Sequence, residues 1–328
     1  MKILVTGAAG DIGSLLVTEL AARGNTVHAY GPVPDTEVFI QHPGIKLFTG
    51  DICDRKSLTS AMRGCSQVYH TDGTIKSRDR NPDLLLERHV GGTTNVLKAA
   101  FDLEISRMVY TSSCAVWSAT DDYLLTENDP RVGSFDNDYT LSKCLAEKAV
   151  KEYCYKGLDV VIVNPSRLYG PPLIRPEHGV NRIIKWLLCH RLTPVPCHPD
   201  ILGNYAYIND VVDGHRLAME KGTTGERYIL GGENISFRRF IEIIRKNGNR
   251  RKLYCPLPDP VLKAWSFLEV VRGRFLNRDP LVTPGILKRL QRNKIMDSSK
   301  AVRQLGYAIT PFESGLQHTI DHFKKAKL

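Results

Sequence analysis

Lys2-Ile3-Leu4-Val5-Thr6-Gly7-Ala8-Ala9-Gly10-Asp11-Ile12-Gly13 is the stretch that decides the fold. The apolar run Lys2 to Val5 predicts a short strand, and Asp11 to Arg23 carries Ile12, Leu15, Leu16 and Leu20 at helical spacing until Gly24 stops it. Between them Gly7, Gly10 and Gly13 permit a tight turn, approach of backbone to a pyrophosphate, and close packing of helix on strand. The helix N-terminus then turns its unpaired N–H groups toward the phosphates. A glycine-rich turn alone fits many loops. Set between strand and helix at the start of the chain, it predicts dinucleotide binding by a doubly wound parallel α/β sheet.

Asp138-Tyr139-Thr140-Leu141-Ser142-Lys143 lies in a run to Tyr155 whose Leu141, Leu145, Ala149 and Val150 recur at helical spacing. Positions i and i+4 share a helix face, so Tyr139 and Lys143 point the same way. An ammonium beside a phenol favours the phenolate and lowers its pKa from about 10, which makes Tyr139 a candidate general acid or base. The bland alternative is a surface pair worth a few tenths of a kcal/mol. What decides between them is Arg107 to Thr111, an apolar segment that ends in Ser112-Ser113. Two hydroxyls then stand at the carboxyl end of a strand, where open α/β sheets bind ligands.

The ordered set Thr6-Gly7-x-x-Gly10-x-x-Gly13, Thr111-Ser112-Ser113, Tyr139-x-x-x-Lys143 and Asn164-Pro165-Ser166-x-x-x-Gly170-Pro171 resembles the extended short-chain dehydrogenase/reductase family. Its nearest likeness is to the branch of 3β-hydroxysteroid dehydrogenases, dihydroflavonol reductases and hopanoid-associated reductases. The resemblance implies a Rossmann-type doubly wound sheet with a smaller, mainly helical C-terminal substrate lobe. It further implies an NAD(P)-dependent oxidoreductase interconverting a secondary alcohol and a ketone. Tyr139 would be the acid/base, Lys143 would tune it and bind the nicotinamide ribose, and Ser113 would polarise the carbonyl. Gly7, Gly10, Asp11, Ile12 and Gly13 would hold the pyrophosphate, Asp51 and Ile52 the adenine. Thr71 and Ser112 would lie beside the cofactor, and Pro165 and Ser166 would line the nicotinamide. The family's habit is a homodimer through the helices of residues 81–103 and 138–155.

Where the chain departs from the pattern, chemistry follows. The strand Thr26 to Tyr30 should end in an acidic residue that binds the ribose 2′-hydroxyl of NAD. That position is Gly31, and no carboxylate appears before Asp35. Its loss removes the repulsion against a 2′-phosphate and leans toward NADP. After the strand Gln67 to His70 stands Thr71-Asp72-Gly73, where relatives carry small apolar residues at the Asp72 position, and His89 replaces an Asn in the long helix Asn81 to Leu103. The imidazole can serve as a donor in a proton relay or as a helix-packing group.

A chain of 328 residues, 42% hydrophobic and 24% charged, has the composition of an ordinary globular protein. We expect a cofactor unit of residues 1–170, with 204–232 returning to it, and a substrate lobe of 171–203 and 233–328. Tyr205 to Ile208 and Arg227 to Leu230 read as the returning strands, with Asn209-Asp210 capping the helix between them. No apolar run reaches the roughly 18 residues that span a bilayer. Eight cysteines without a C-x-x-C pair or metal-ligand spacing indicate a reducing compartment, so the expected location is the cytoplasm. The terminal Ala326-Lys327-Leu328 resembles a peroxisomal address, but three residues match easily by chance.

The net charge of +10 falls mostly late in the chain and lacks the interleaved aromatics of a nucleic-acid platform. A small-molecule substrate is the expected partner. Val261 to Phe275 carries Val261, Leu262, Trp265, Leu268 and Val271 with Lys263, Arg272 and Arg274 elsewhere, a basic amphipathic helix that packs on the lobe, roofs an apolar pocket or lies on a membrane. Two rivals stand beside the alcohol–ketone reading. A nucleotide-sugar epimerase or dehydratase would commonly carry an Arg four residues before Tyr207, where this chain has Gly203, and a dehydratase would follow Ser113 with an acidic pair. A non-catalytic cofactor-binding scaffold would carry a broken Ser-Tyr-Lys set.

Overall fold

The computed structural model describes residues 1–32, 42–73, 82–119, 123–131, 138–171, 179–190, 192–196, 199–247, 253–275, 284, 287 and 292–325. Asp35, Asn81 and Ala326-Lys327-Leu328 lie outside the described residues. The strands β1 (Lys2–Thr6), β2 (Thr26–Gly31), β3 (Ile45–Thr49), β4 (Gln67–His70), β5 (Arg107–Thr111), β6 (Val160–Pro165) and, later in the chain, β10 (Arg227–Leu230) build one seven-stranded sheet in the order β10-β6-β5-β4-β1-β2-β3. All its pairings are parallel. Chain order reverses between β1 and β4, and there a crevice opens outside the carboxyl ends of the strands.

Successive side chains of a strand point to opposite faces, and this sheet buries both except at its edge strand β3. Leu4, Tyr30, Val68, Met108 and Ile162 meet Leu58 and Met62 of α2 (Arg55–Met62), Val96 and Leu97 of α4 (Thr93–Asp102), and Val150 of α5 (Asp138–Tyr155). Ile3, Val5, Val27, Val109 and Val161 meet Leu16 and Leu20 of α1 (Asp11–Ala22) and Val211 of α7 (Ile208–Lys221). This two-sided burial is why the strands read as unbroken apolar runs.

The smaller part of the molecule holds β7 (Arg167–Tyr169), β9 (Leu202–Tyr207) and β11 (Glu233–Ser236), with β9 central. A parallel pair, β8 (Leu192–Pro196) with β12 (Leu253–Leu257), lies apart from them. An aromatic cluster of Tyr169, Tyr205, Phe240 and Phe312 joins these strands to α6 (Gly179–Cys189), α8 (Phe237–Asn247) and the last helix, Phe312–Lys325. α9 (Asp259–Phe275) flanks this lobe, with Trp265 against Trp186 of α6 at 6.0 Å between ring centroids.

Three local expectations are corrected. Tyr205 to Ile208 does not return to the large sheet: β9 pairs parallel with β7 and antiparallel with β11, and only β10 joins the large sheet, beside β6. Asn209-Asp210 does not cap α7, which starts at Ile208; Asp210 instead accepts from the N–H and the hydroxyl of Thr310, both at 2.7 Å, tying the helix to the C-terminal segment. The long helix before Leu103 is interrupted: α3 (Pro82–Leu86) passes through a π-helical segment, Glu87–Gly92, before α4. Such wider turns re-aim the residues they contain.

Candidate active site

Gly7 follows β1 with φ at +66°, a conformation that favours glycine, and a Cβ there would lie 2.6 Å from the Asp72 nitrogen. A Cβ on Gly13 would lie 2.2 Å from the Gly7 carbonyl oxygen. Gly10 is the N-cap of α1, with no side-chain cap, so the first N–H groups at Asp11, Ile12 and Gly13 are presented toward the crevice. Thr71, at the end of β4, closes the turn by donating to the Thr6 carbonyl at 2.8 Å. At the end of β3, Asp51 accepts from the Cys53 N–H at 2.9 Å, while Asn95 donates to the Ile52 carbonyl at 3.1 Å. A Cβ built on Gly31 meets no described residue within 4 Å, so among the described residues the space where a carboxylate would sit is open. Ser166, just past Pro165, has a buried Oγ with no partner among the described residues. A glycine cradle, an uncapped helix N-terminus and an orphaned hydroxyl fit a dinucleotide laid across this crevice.

On the far side of the switch point stand the predicted Ser, Tyr and Lys. Ser113 caps the 3₁₀ turn of residues 114–116: its Oγ accepts from the Ala115 N–H at 3.1 Å, which leaves its proton free to donate. Tyr139 is half-buried on the first turn of α5, and its phenol interacts with the Ser113 side chain. Lys143, one turn on, is buried; its Nζ donates to the Thr111 carbonyl at 3.0 Å and lies 5.3 Å from the Tyr110 ring. The same Nζ would be 2.8 Å from a Cβ on Gly73, so glycine there makes room for the lysine.

The electrostatics differ from the sequence expectation. Burial pushes the Tyr139 phenol above its ordinary pKa, and the Ser113 side chain only partly opposes it. Lys143 is not among the groups that shift the phenol; its Nζ donates to the Thr111 carbonyl, and desolvation dominates. Burial brings Lys143 itself down to about 8, with the charge of Asp72 pulling it up.

The two departures acquire partners. His89 lies in the π-helical segment with Nδ1 at 2.8 Å from the Ser142 Oγ, and its ring stands edge-on to Tyr139 at 5.6 Å. Ser142 gives its proton to the Tyr139 carbonyl at 2.9 Å, so Nδ1 is the donor to Ser142. The imidazole thus braces the turn that carries Tyr139. Asp72 is buried and bound by Arg88.

Three residues were missed by sequence reasoning. Glu147, fully buried on α5, accepts from the Ser112 hydroxyl and from Asn164 Nδ2, and pairs with Arg131 and Arg227. Ser112 therefore turns its proton toward this carboxylate. Glu147 is four residues from Lys143, and helical spacing was the signal that could have found it. Arg88 carried no sequence signal. Arg167 fills the space over Gly203: its Nη1 is 2.3 Å from where a Cβ on Gly203 would stand, and its guanidinium lies 5.6 Å from the Tyr205 ring. A guanidinium from β7 thus occupies the space over Gly203, the position where the sugar-nucleotide pattern has its arginine.

A glycine-rich turn before a helix on one side of a crevice, with Ser113, Tyr139 and Lys143 on the other, fits a dinucleotide-dependent oxidoreductase. The model of the NAD dependent epimerase/dehydratase family matches residues 3–231, and the chain belongs to that family. Within it the chain is an NAD(P)-dependent enzyme of the extended short-chain dehydrogenase/reductase type. It is similar to sterol demethylase protein B of Methylococcus capsulatus, 28% identical and covering 99% of each chain. A putative dihydroflavonol 4-reductase of Synechocystis is 30% identical, over 98% of this chain and 94% of the relative. A 3-beta-hydroxysteroid dehydrogenase of Mycolicibacterium neoaurum is 27% identical over 93% and 86%. Among solved structures, UDP-glucose 4-epimerase of Thermotoga maritima with UDP-glucose matches with a TM-score of 0.81 at 19% identity, covering 100% of both chains. The dTDP-glucose 4,6-dehydratase of Streptomyces venezuelae with NAD bound matches at 0.80 and 22%, covering 100% of this chain and 98% of that one. At those identities the likeness is one of fold.

Proposed function

We propose that this enzyme interconverts a secondary alcohol and a ketone on an apolar substrate, with NADP(H) preferred over NAD(H). The observation that carries the reading is the convergence of Ser113, Tyr139 and Lys143 on the end of β5, opposite the glycine cradle. The bound dinucleotide supplies or accepts the hydride. In reduction, Ser113 turns its hydroxyl proton from Tyr139 to the substrate carbonyl oxygen as a hydrogen bond, and Tyr139 delivers the proton that makes it a hydroxyl. The raised phenol pKa keeps Tyr139 in the acid form this direction needs. Lys143 adds a buried positive charge where a tyrosinate would form. Open space at Gly31 supports the NADP preference.

Relatives named for a sterol and a steroid support an apolar substrate. The smaller lobe with α9 is then the substrate cover, and the assembly a cytoplasmic homodimer through residues 82–102 and 138–155, whose Leu84, Phe101 and Leu145 are exposed. Arg167 over Gly203 favours a second reading, a nucleotide sugar whose diphosphate meets that guanidinium. One panel separates the two. Polycyclic ketones with NADPH should give slow cofactor oxidation, and UDP-, GDP- and dTDP-sugars should give neither new product nor thermal stabilisation. Robust conversion of any nucleotide sugar would overturn the proposal.

A further inference from the structure

α9 is apolar on two sides. Its inner side is fixed to the lobe: Leu262, Ser266 and Gly273 are buried, and Trp265 meets Trp186 at 6.0 Å. Its outer side is bare, with Val261 48%, Phe267 64%, Leu268 64% and Phe275 86% exposed. At about 100° per residue these four and Ala264 fall within an arc of about 120°. Lys263 borders one edge of the arc and Arg272 the other, both exposed. The helix's two carboxylates, Asp259 and Glu269, fall outside it, and Glu269 is paired with Arg272 at 3.2 Å. From Arg245 to Lys294 the sequence holds thirteen Lys and Arg against three Asp and Glu, a balance of +10 that equals the charge of the entire chain.

We infer that the outer face of α9 docks on an anionic lipid surface. A helix lying in the interfacial plane sinks an apolar arc below the headgroups and sets cations along its edges against their phosphates. The outward arc of α9 has that order of groups and no carboxylate to repel a phosphate. Because the inner side is held by Leu262 and Trp265, the helix cannot rotate to hide Phe267 and Leu268 in the lobe. A second copy is a poorer occupant. A strip of 17 residues, about 25 Å long, is small against the roughly 800 Å² per partner of a stable interface. A two-fold pairing of this face would also bring its Lys263 and Arg272 near those of the other copy. The docking holds whichever substrate the active site takes.

Flotation of the purified full-length protein with vesicles tests this without any assay of activity. Protein should float with phosphatidylcholine–phosphatidylglycerol vesicles, far less with phosphatidylcholine alone, and less again as salt is raised. Phe267→Asp with Leu268→Asp should lower partitioning by more than about tenfold with thermal unfolding retained. Lys263→Glu with Arg272→Glu, at exposed positions, should remove the preference for the anionic vesicles even if the first pair disturbs folding. Failure of the unaltered protein to float with anionic vesicles would overturn the inference, as would equal flotation by both double variants. Light scattering that shows the aspartate pair splitting a dimer, with no vesicle binding by the unaltered protein, would assign the face to a second copy instead.

Discussion

Arg88 grips Asp72 at two points, Nε to Oδ1 and Nη2 to Oδ2, each at 3.3 Å. Its Nη1 also reaches Asp51 at 3.6 Å. The guanidinium therefore links the segment after β4 to the segment after β3, across the crevice that the proposed dinucleotide would occupy. A carboxylate there would repel a pyrophosphate; Arg88 offsets it. The same carboxylate supports the charge of Lys143.

Asp72→Asn should therefore move the pH dependence of reduction. Lys143 sits near 8, and its protonated form is lost as pH rises through that value. Asp72 raises that pKa, so its removal brings the loss to lower pH, and the alkaline limb of the kcat profile should shift toward acid. The groups acting on Lys143 from the elements around it are Asp72, the Thr111 carbonyl and His70, whose own pKa burial brings to about 3 so that it stays neutral. An unmoved alkaline limb in the variant would count against any role of Asp72 in setting the lysine.

Tyr139→Phe should lower kcat by about 10²–10⁴-fold, the usual contribution of a positioned acid or base. The hydroxyl meets the Ser113 side chain, and the ring stands in an edge contact with His89, which the phenylalanine preserves. Cofactor affinity by titration calorimetry should stay within about twofold. Turnover at the unaltered rate would remove Tyr139 from the mechanism.

Much of the sheet was legible because its strands are buried on both faces: Gln67 to His70 was read to the residue, and Thr26 to Tyr30 to within one. The glycine turn was legible because Gly7 and Gly13 are sterically compelled. The sheet to which β9 belongs was not, since its own side-chain pattern is the same whether it pairs with β7 or with the large sheet. The π-helical segment was hidden because a single wider turn barely changes the spacing of apolar residues. For α9, periodicity grouped Leu262 and Trp265 with Val261 and Leu268, whereas the structure turns the first two in and the last two out. A helix apolar on two sides gives a pattern that cannot choose its buried side. Glu147 and its two arginines come from three distant parts of the chain, and only folding brings them together.

Gly31→Asp should turn the cofactor preference toward NAD(H). No described residue lies within 4 Å of the new Cβ, so the substitution adds a carboxylate without forcing the described backbone. Like charges a few ångströms apart near a protein surface cost on the order of 1–2 kcal/mol after screening, so NADPH affinity should fall on the order of tenfold or more. Parallel titrations of NADH and NADPH into both proteins decide it. If the unaltered protein already selects NAD(H), the NADP preference is wrong at its root.

Glu147 offers the sharpest separation of structural from chemical roles. Its carboxylate is fully buried and faces two guanidiniums, Arg131 and Arg227, whose side chains are 22% and 27% exposed. Asn164 Nδ2 donates both to Glu147, at 2.9 Å, and to the Ser113 carbonyl, at 3.2 Å. Glu147→Ala would leave two partly buried cations facing one another, a loss of about 3–5 kcal/mol. In a chain of this length that lowers Tm by on the order of 5–10 °C. Glu147→Gln keeps the shape and one acceptor for Ser112 and Asn164 while removing the charge, so it should be destabilised less than the alanine variant. Because Asn164 anchors the Ser113 backbone through the same carboxylate, kcat should fall in the alanine variant well below its Tm and recover in part in the glutamine variant, with the pH profile unchanged since no proton-transfer group is altered. Calorimetric melts with rate measurements across pH check both parts: an alanine variant melting within about 1 °C of the unaltered protein would show that the ion cluster contributes little net stability.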